Sequence, residues 1–229
     1  LRNSRGIRRL RRGYGLSVAI PLSLGLPAPR NSRGLLEALF LPVVPASALI
    51  GGEAAGRVVV RLDIDPEELR ADTEASYEAV RFDVDVTTDQ IDDAIALRLP
   101  APLAVYVDGG EEDLTPAEAA LRLCEGGRIP GLAAGLTPTE VADFLAVLAH
   151  ESVGFVARAA DGDEVIALLC GTVAALRGDD VRAAMVDPKP EKLAALIPEA
   201  ASAMREVLLT IEVADLPAVE TALRAAGLQ

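Results

Sequence analysis

Hydrophobic and polar positions along this chain follow two periods that take turns. Within Arg57–Asp65, the run Val58-Val59-Val60 with Leu62 and Ile64 reads as a strand whose second half alternates. Phe82, Val84 and Val86 share one face of a second strand, Arg81–Val86, and Leu103–Val107 forms a third that ends at the Asp108-Gly109-Gly110 turn. Between the first two, Asp65-Pro66-Glu67-Glu68 is a helix start, with aspartate as N-cap and proline at N1, predicting a helix to about Ala79. Thr87-Thr88 opens another helix over Asp89–Leu97, which Pro100 and Pro102 close.

The second half is richer in helical pattern. Thr115-Pro116-Ala117-Glu118 and Thr137-Pro138-Thr139-Glu140 repeat one device: threonine caps, proline takes N1, and glutamate at N3 reaches back to the capping amide. After the second, Val141, Phe144, Leu145 and Leu148 fall at i, i+3, i+4 and i+7, a stripe expected to be buried. Gly126-Gly127-Arg128-Ile129-Pro130-Gly131 reads as the stop of the first helix, which predicts an αα unit. A strand over Val153–Ala160 follows, then a helix over Asp163–Leu176 ended by Gly178. A helix over Glu191–Met204 is kinked or divided by Pro198. Glu206–Val213 is a last strand, and Asp215 caps a helix that Gly227 terminates.

The expected fold is α/β or α+β: a small mixed sheet covered by helices, more helical toward the C-terminus, behind an extended basic N-terminal arm. The expected divisions are a proline-broken arm over 1–48, an α/β subdomain over 49–110 and a helix-rich α/β subdomain over 111–229.

Charge sharpens the view of the arm. Residues 1–36 hold eight arginines (Arg2, Arg5, Arg8, Arg9, Arg11, Arg12, Arg30 and Arg33) and no acid. The remaining 193 residues hold 35 acids against 22 − 8 = 14 basic residues, so a +8 leader joins a −21 body. Such a split points to an arm that docks on an acidic protein surface, another copy of the chain being the nearest. Arg2-Asn3-Ser4-Arg5-Gly6 recurs as Arg30-Asn31-Ser32-Arg33-Gly34, two equivalent basic segments. The acidic body argues against binding nucleic acid, whose phosphates it repels, and 3% aromatic content leaves few platforms for stacked bases. The leader also carries features of a degenerate export signal: Arg8–Arg12 before the apolar run Leu16–Ala28, and Ala46-Ser47-Ala48 further on. Pro21, Pro27, Pro42 and Pro45 interrupt its two apolar stretches, neither of which reaches the roughly 20 residues of a membrane helix.

Candidate chemistry is sparse. One histidine, His150, excludes His-rich zinc sites; Cys124 and Cys170 form no C-x-x-C motif and read as buried free thiols. The glycine pairs lack P-loop and Rossmann spacing, so no catalytic residue and no cofactor is assigned. One constellation stands out. Arg61-Leu62-Asp63-Ile64-Asp65 and Arg81-Phe82-Asp83-Val84-Asp85 share the pattern Arg-apolar-Asp-apolar-Asp. On neighbouring strands Asp63, Asp65, Asp83 and Asp85 would form one oxygen-rich patch of the kind that holds Mg²⁺ or Mn²⁺ for phosphoryl or nucleotidyl transfer. The same alternation also arises when a strand turns its polar residues to solvent.

Arg61–Asp65 followed by Gly109-Gly110-Glu111-Glu112 resembles the GGDEF domains of diguanylate cyclases, which set a metal-binding aspartate strand before a Gly-Gly-acidic hairpin. The resemblance implies a nucleotidyl-transfer enzyme using Mg²⁺ or Mn²⁺. The chain departs from that pattern where Asp113-Leu114-Thr115-Pro116 opens a helix in place of the hairpin's second strand. Absence of a nucleophile motif favours instead a non-catalytic, cytoplasmic or assembly-bound interaction subunit, with the metal enzyme and an exported protein as the alternatives.

Overall fold

A computed structural model describes residues 35–36, 38–51, 56–71, 77–108 and 114–228. Seven strands form one sheet in strict chain order: β1 (Val43–Pro45), β2 (Gly56–Arg61), β3 (Tyr77–Thr87), β4 (Leu103–Asp108), β5 (Ile129–Leu132), β6 (Phe155–Ala159) and β7 (Leu208–Val213). Every neighbouring pair is parallel, so each connection is a crossover, and all six carry helix. The helices α1 (Ala46–Leu49), α2 (Pro66–Ala71), α3 (Ile91–Ala96, entered through a 3-10 turn), α4 (Pro116–Glu125) and α5 (Pro138–Leu148) each link successive strands. Four more, α6 (Gly162–Arg177), α7 (Val181–Val186), α8 (Pro190–Ala194) and α9 (Pro198–Val207), separate β6 from β7, and α10 (Leu216–Ala225) follows.

The sheet curls until its edges meet. Ile211 N in β7 donates to Leu39 O, just ahead of β1, at 2.7 Å, and Glu212 of β7 pairs with Arg61 of β2. The outer face carries the apolar core. Val58, Val60, Phe82, Leu103 and Val105 pack beneath Leu69, Ile91, Ala94 and Leu123 of α2, α3 and α4. Phe155, Ala157, Leu208 and Ile211 pack beneath residues of α5, α6 and α10, among them Phe144, Leu145, Leu169 and Leu223. Each valine, leucine, isoleucine or phenylalanine among them contributes about 1.5–3 kcal/mol when removed from water. The inner face holds a smaller cluster of Ala104, Tyr106 and Val156.

The α/β reading therefore holds, with a sheet larger than expected and parallel throughout. Both Thr-Pro-x-Glu capping boxes are present, Thr115 and Thr137 each accepting from the N3 amide. Pro198 divides its segment into α8 and α9 as expected. Three elements differ. Ile129–Leu132 is strand β5, so α4 and α5, which pack side by side, are joined through the sheet rather than as an αα unit. The helix after Asp65 ends at Ala71, and β3 starts at Tyr77, because Tyr77 and Ala79 pack with Phe82. Val43–Pro45 is the first strand of the sheet although it falls within the span assigned to the arm. β4 and β5 are hydrogen-bonded neighbours, so the sheet runs through the division expected at 110. Among the described residues no helix is long and apolar enough to cross a membrane.

Candidate functional site

The pleat of β3 turns Phe82, Val84 and Val86 outward to the helices and Arg81, Asp83 and Asp85 inward. Shared facing of the two aspartates was readable from their spacing; the face they share is the inside of the curl. Arg81 donates from Nε and Nη2 to the two oxygens of Asp83, at 2.5 and 3.0 Å, with Arg81 6% and Asp83 0% exposed.

Asp85, two residues nearer the strand end, belongs to a longer chain of charges. Arg158 of β6 reaches across to it, donating from Nη1 and Nη2 at 2.5 and 3.2 Å. Its Nε donates at 3.0 Å to Glu212 on β7, whose other oxygen pairs with Arg61 of β2. Three arginines (61, 81 and 158) thus face three carboxylates (83, 85 and 212), and the cluster is neutral.

Tyr106 of β4 sits against this chain. The Arg158 guanidinium carbon lies 3.9 Å from its ring centroid, a cation–π contact. Gly131 on β5 lies against the same ring: a Cβ there would fall 2.5 Å from Cδ1, so only glycine admits the tyrosine. Burial first, then the negative charges of Asp83 and Asp85 against the partial relief of Arg158 and Arg81, holds the phenol well above its usual pKa. It is therefore a protonated donor at neutral pH. For Arg158, burial works against the charge, but the hydrogen bond and charge of Asp85 outweigh it and raise its pKa. Among the described residues neither the buried Tyr106 hydroxyl nor Arg61 Nε has a hydrogen-bond partner.

At the same end, where β4 and β5 run out and α4 and α5 begin, a cleft of about 380 Å³ is lined by Val107, Leu114, Gly131, Leu136, Glu140 and Phe144. The bases of both helices are satisfied: Glu118 and Glu140 accept from the capping threonines, which depresses both carboxyl pKa values.

The remaining aspartates have separate tasks. Asp63 accepts from Ser47 N and Oγ at 2.9 and 2.5 Å, which depresses its pKa and ties the end of β2 to α1. Asp65 accepts from Glu67 N at 2.8 Å at the start of α2. Among the described residues no group of three or more His, Cys, Asp or Glu side chains is arranged to hold a metal ion. The arm arginines (2, 5, 8, 9, 11, 12, 30 and 33) and Gly109–Glu112 lie outside the described residues. Both cysteines are buried and free; burial, with Glu151 adding to it, pushes the Cys124 thiol up to about 11, and burial raises Cys170 as well.

Tyr106, Arg158 and Glu212 were not singled out from the sequence. The signal was there in a weak form, since Arg158 and Glu212 each interrupt an apolar strand at the position before its last residue. Comparison of this chain with family models, curated proteins and solved structures finds no match.

Proposed function

We propose that this protein binds a small polar molecule at the carboxyl ends of its strands, with Arg61, Asp85, Tyr106, Arg158 and Glu212 as the binding groups. The observation that carries this reading is the Tyr106 hydroxyl, buried on the inner face without a partner among the described residues. Leaving a buried hydroxyl unpaired costs about 1–3 kcal/mol, and a ligand acceptor offsets that cost. Parallel α/β sheets place ligands at this end of their strands, an analogy of architecture that the charged inner cluster makes specific. The groups present suit binding and proton transfer: two arginines for an anionic group, a fixed phenol donor, and two carboxylates as acceptors.

Tyr106→Phe removes only the hydroxyl. Urea unfolding of the free protein is expected to show unchanged or slightly higher stability. A loss above about 1 kcal/mol would mean that the hydroxyl is bonded within the free protein, and the reading would fall.

The charge split supports a second, compatible reading: residues 1–36 dock on an acidic protein surface, that of a neighbouring copy first. Light scattering on the full chain is expected to show association at about 0.1 M salt that is lost at about 1 M, as the Debye length falls from about 10 to about 3 Å. A 37–229 fragment should stay monomeric in both. Identical monomers in all conditions would exclude self-association.

A further inference from the structure

Gly178 ends α6 in a left-handed backbone turn (φ 71°), after which α7 and α8 both pack against α6. α7 comes close because Gly171 has no side chain: a Cβ there would fall 2.9 Å from Met185 Cγ. The three helices border a space of about 550 Å³, within the roughly 300–1,000 Å³ of small-molecule pockets. From its walls and charges we propose that this space is a second binding site, for a small amphipathic monoanion: an apolar chain or ring ending in one carboxylate.

Lys189 and Lys192 are the only lysines in the sequence, and both line this space together with Arg177. Asp179, Asp180 and Asp187 line it too, and each already has a partner. Arg177 Nε lies 3.0 Å from Asp179, Lys189 Nζ donates to Asp187 at 2.7 Å, and Asp180 accepts from Ala183 N at 3.0 Å as the cap of α7. Lys192 has no ion pair among the described residues, which leaves one open cation. A carboxylate supplies the single negative charge that answers it, whereas a phosphate monoester brings about 1.5–2 at pH 7. Cations equal carboxylates here, three to three, while residues 37–229 hold 35 acids to 14 basic residues. An anion therefore meets less repulsion in this space than over the body as a whole.

The apolar body is required by the rest of the wall. Val173 and Ala174 of α6, Ala183 and Ala184 of α7 and Leu193 of α8 offer surface that an apolar chain can cover, and its removal from water supplies most of the binding. A charged head alone would have only the exposed ammonium of Lys192, a contact worth little in water. Cys170 also lies in the wall, 8% exposed, where a bound chain would cover it. None of these groups belongs to the site at the strand ends, so the two readings stand or fall separately.

Calorimetric titration of the full-length protein tests this with octanoate, alongside octan-1-ol (body without charge), octylamine (opposite charge) and acetate (charge without body). Octanoate is expected to bind about tenfold or more tightly than each of the other three. Lys192→Gln, a change at an exposed side chain, should weaken octanoate about tenfold and leave octan-1-ol unchanged. Bound octanoate should also slow the reaction of Cys170 with N-ethylmaleimide, read by mass spectrometry, more than that of Cys124, which lies on α4 outside this space. Octanoate binding no tighter than octan-1-ol, or equally tight to Lys192→Gln, overturns the inference. Protection of Cys170 no greater than that of Cys124 overturns it too, because the bound chain then lies elsewhere. Absence of octanoate binding up to about 10 mM does the same.

Discussion

Asp83→Ala is expected to destabilise the protein by about 3–5 kcal/mol, the cost of leaving Arg81 buried with no counter-charge. The pair is worth far less as an interaction than its loss costs. Both groups were taken out of water on folding, and the bidentate contact mainly offsets that penalty. Removing the carboxylate keeps the penalty and deletes the compensation. For a chain of this size the melting temperature should fall by roughly 6–20 °C. The double variant Arg81→Met/Asp83→Leu should recover most of the loss, since apolar groups of similar volume need no compensation. A loss below about 1 kcal/mol from Asp83→Ala would mean that water reaches the pair and that the inner face is open at this level.

Where local chemistry decided the structure, the sequence was legible. Thr115 and Thr137 mark their helices because cap, proline and glutamate satisfy orphan amides within four residues, whatever surrounds them. Asp215 caps α10 in the same local way. Elements decided by distant partners were not legible. β5 is four residues containing Pro130 and Gly131, and only its place between β4 and β6 makes it a strand. β1 is three residues long and owes its existence to β2.

The site divides along the same line. Period two put Asp83 and Asp85 on one face, but two opposite environments satisfy that pattern: solvent outside an open sheet, or the inside of a curled one. The choice depends on β7 returning to the segment before β1, a contact across more than 170 residues that no local pattern encodes. Arg158 meets Asp85, 73 residues back, and Glu212, 54 residues on, only in the folded sheet, which is why strand-by-strand reading paired the aspartates with one another. Arg61 and Arg81 look alike in sequence. In the fold Arg81 is locked to its own strand's Asp83, while Arg61 shares Glu212 with Arg158.

Phe144→Ala should cost about 3–5 kcal/mol, comparable to breaking the buried ion pair but for a different reason. Phe144 is 1% exposed on the inward stripe of α5, and its ring meets that of Phe155 on β6 edge-on, with centroids 5.4 Å apart and planes at 73°. The contact joins the buried Val141, Leu145 and Leu148 in fastening α5, whose start its own cap defines, onto the sheet. Alanine leaves a cavity bounded by Phe155 and Leu145, and it also widens the cleft at the strand ends, of which Phe144 forms one wall. Urea unfolding should show the midpoint falling with the slope unchanged, the mark of lost stability without a change in the surface exposed. Phe144→Leu, which refills much of the volume, should lose well under half as much. If Phe144→Ala were neutral, α5 would not be packed on β6, and the wall that Phe144 gives the cleft would have no fixed position.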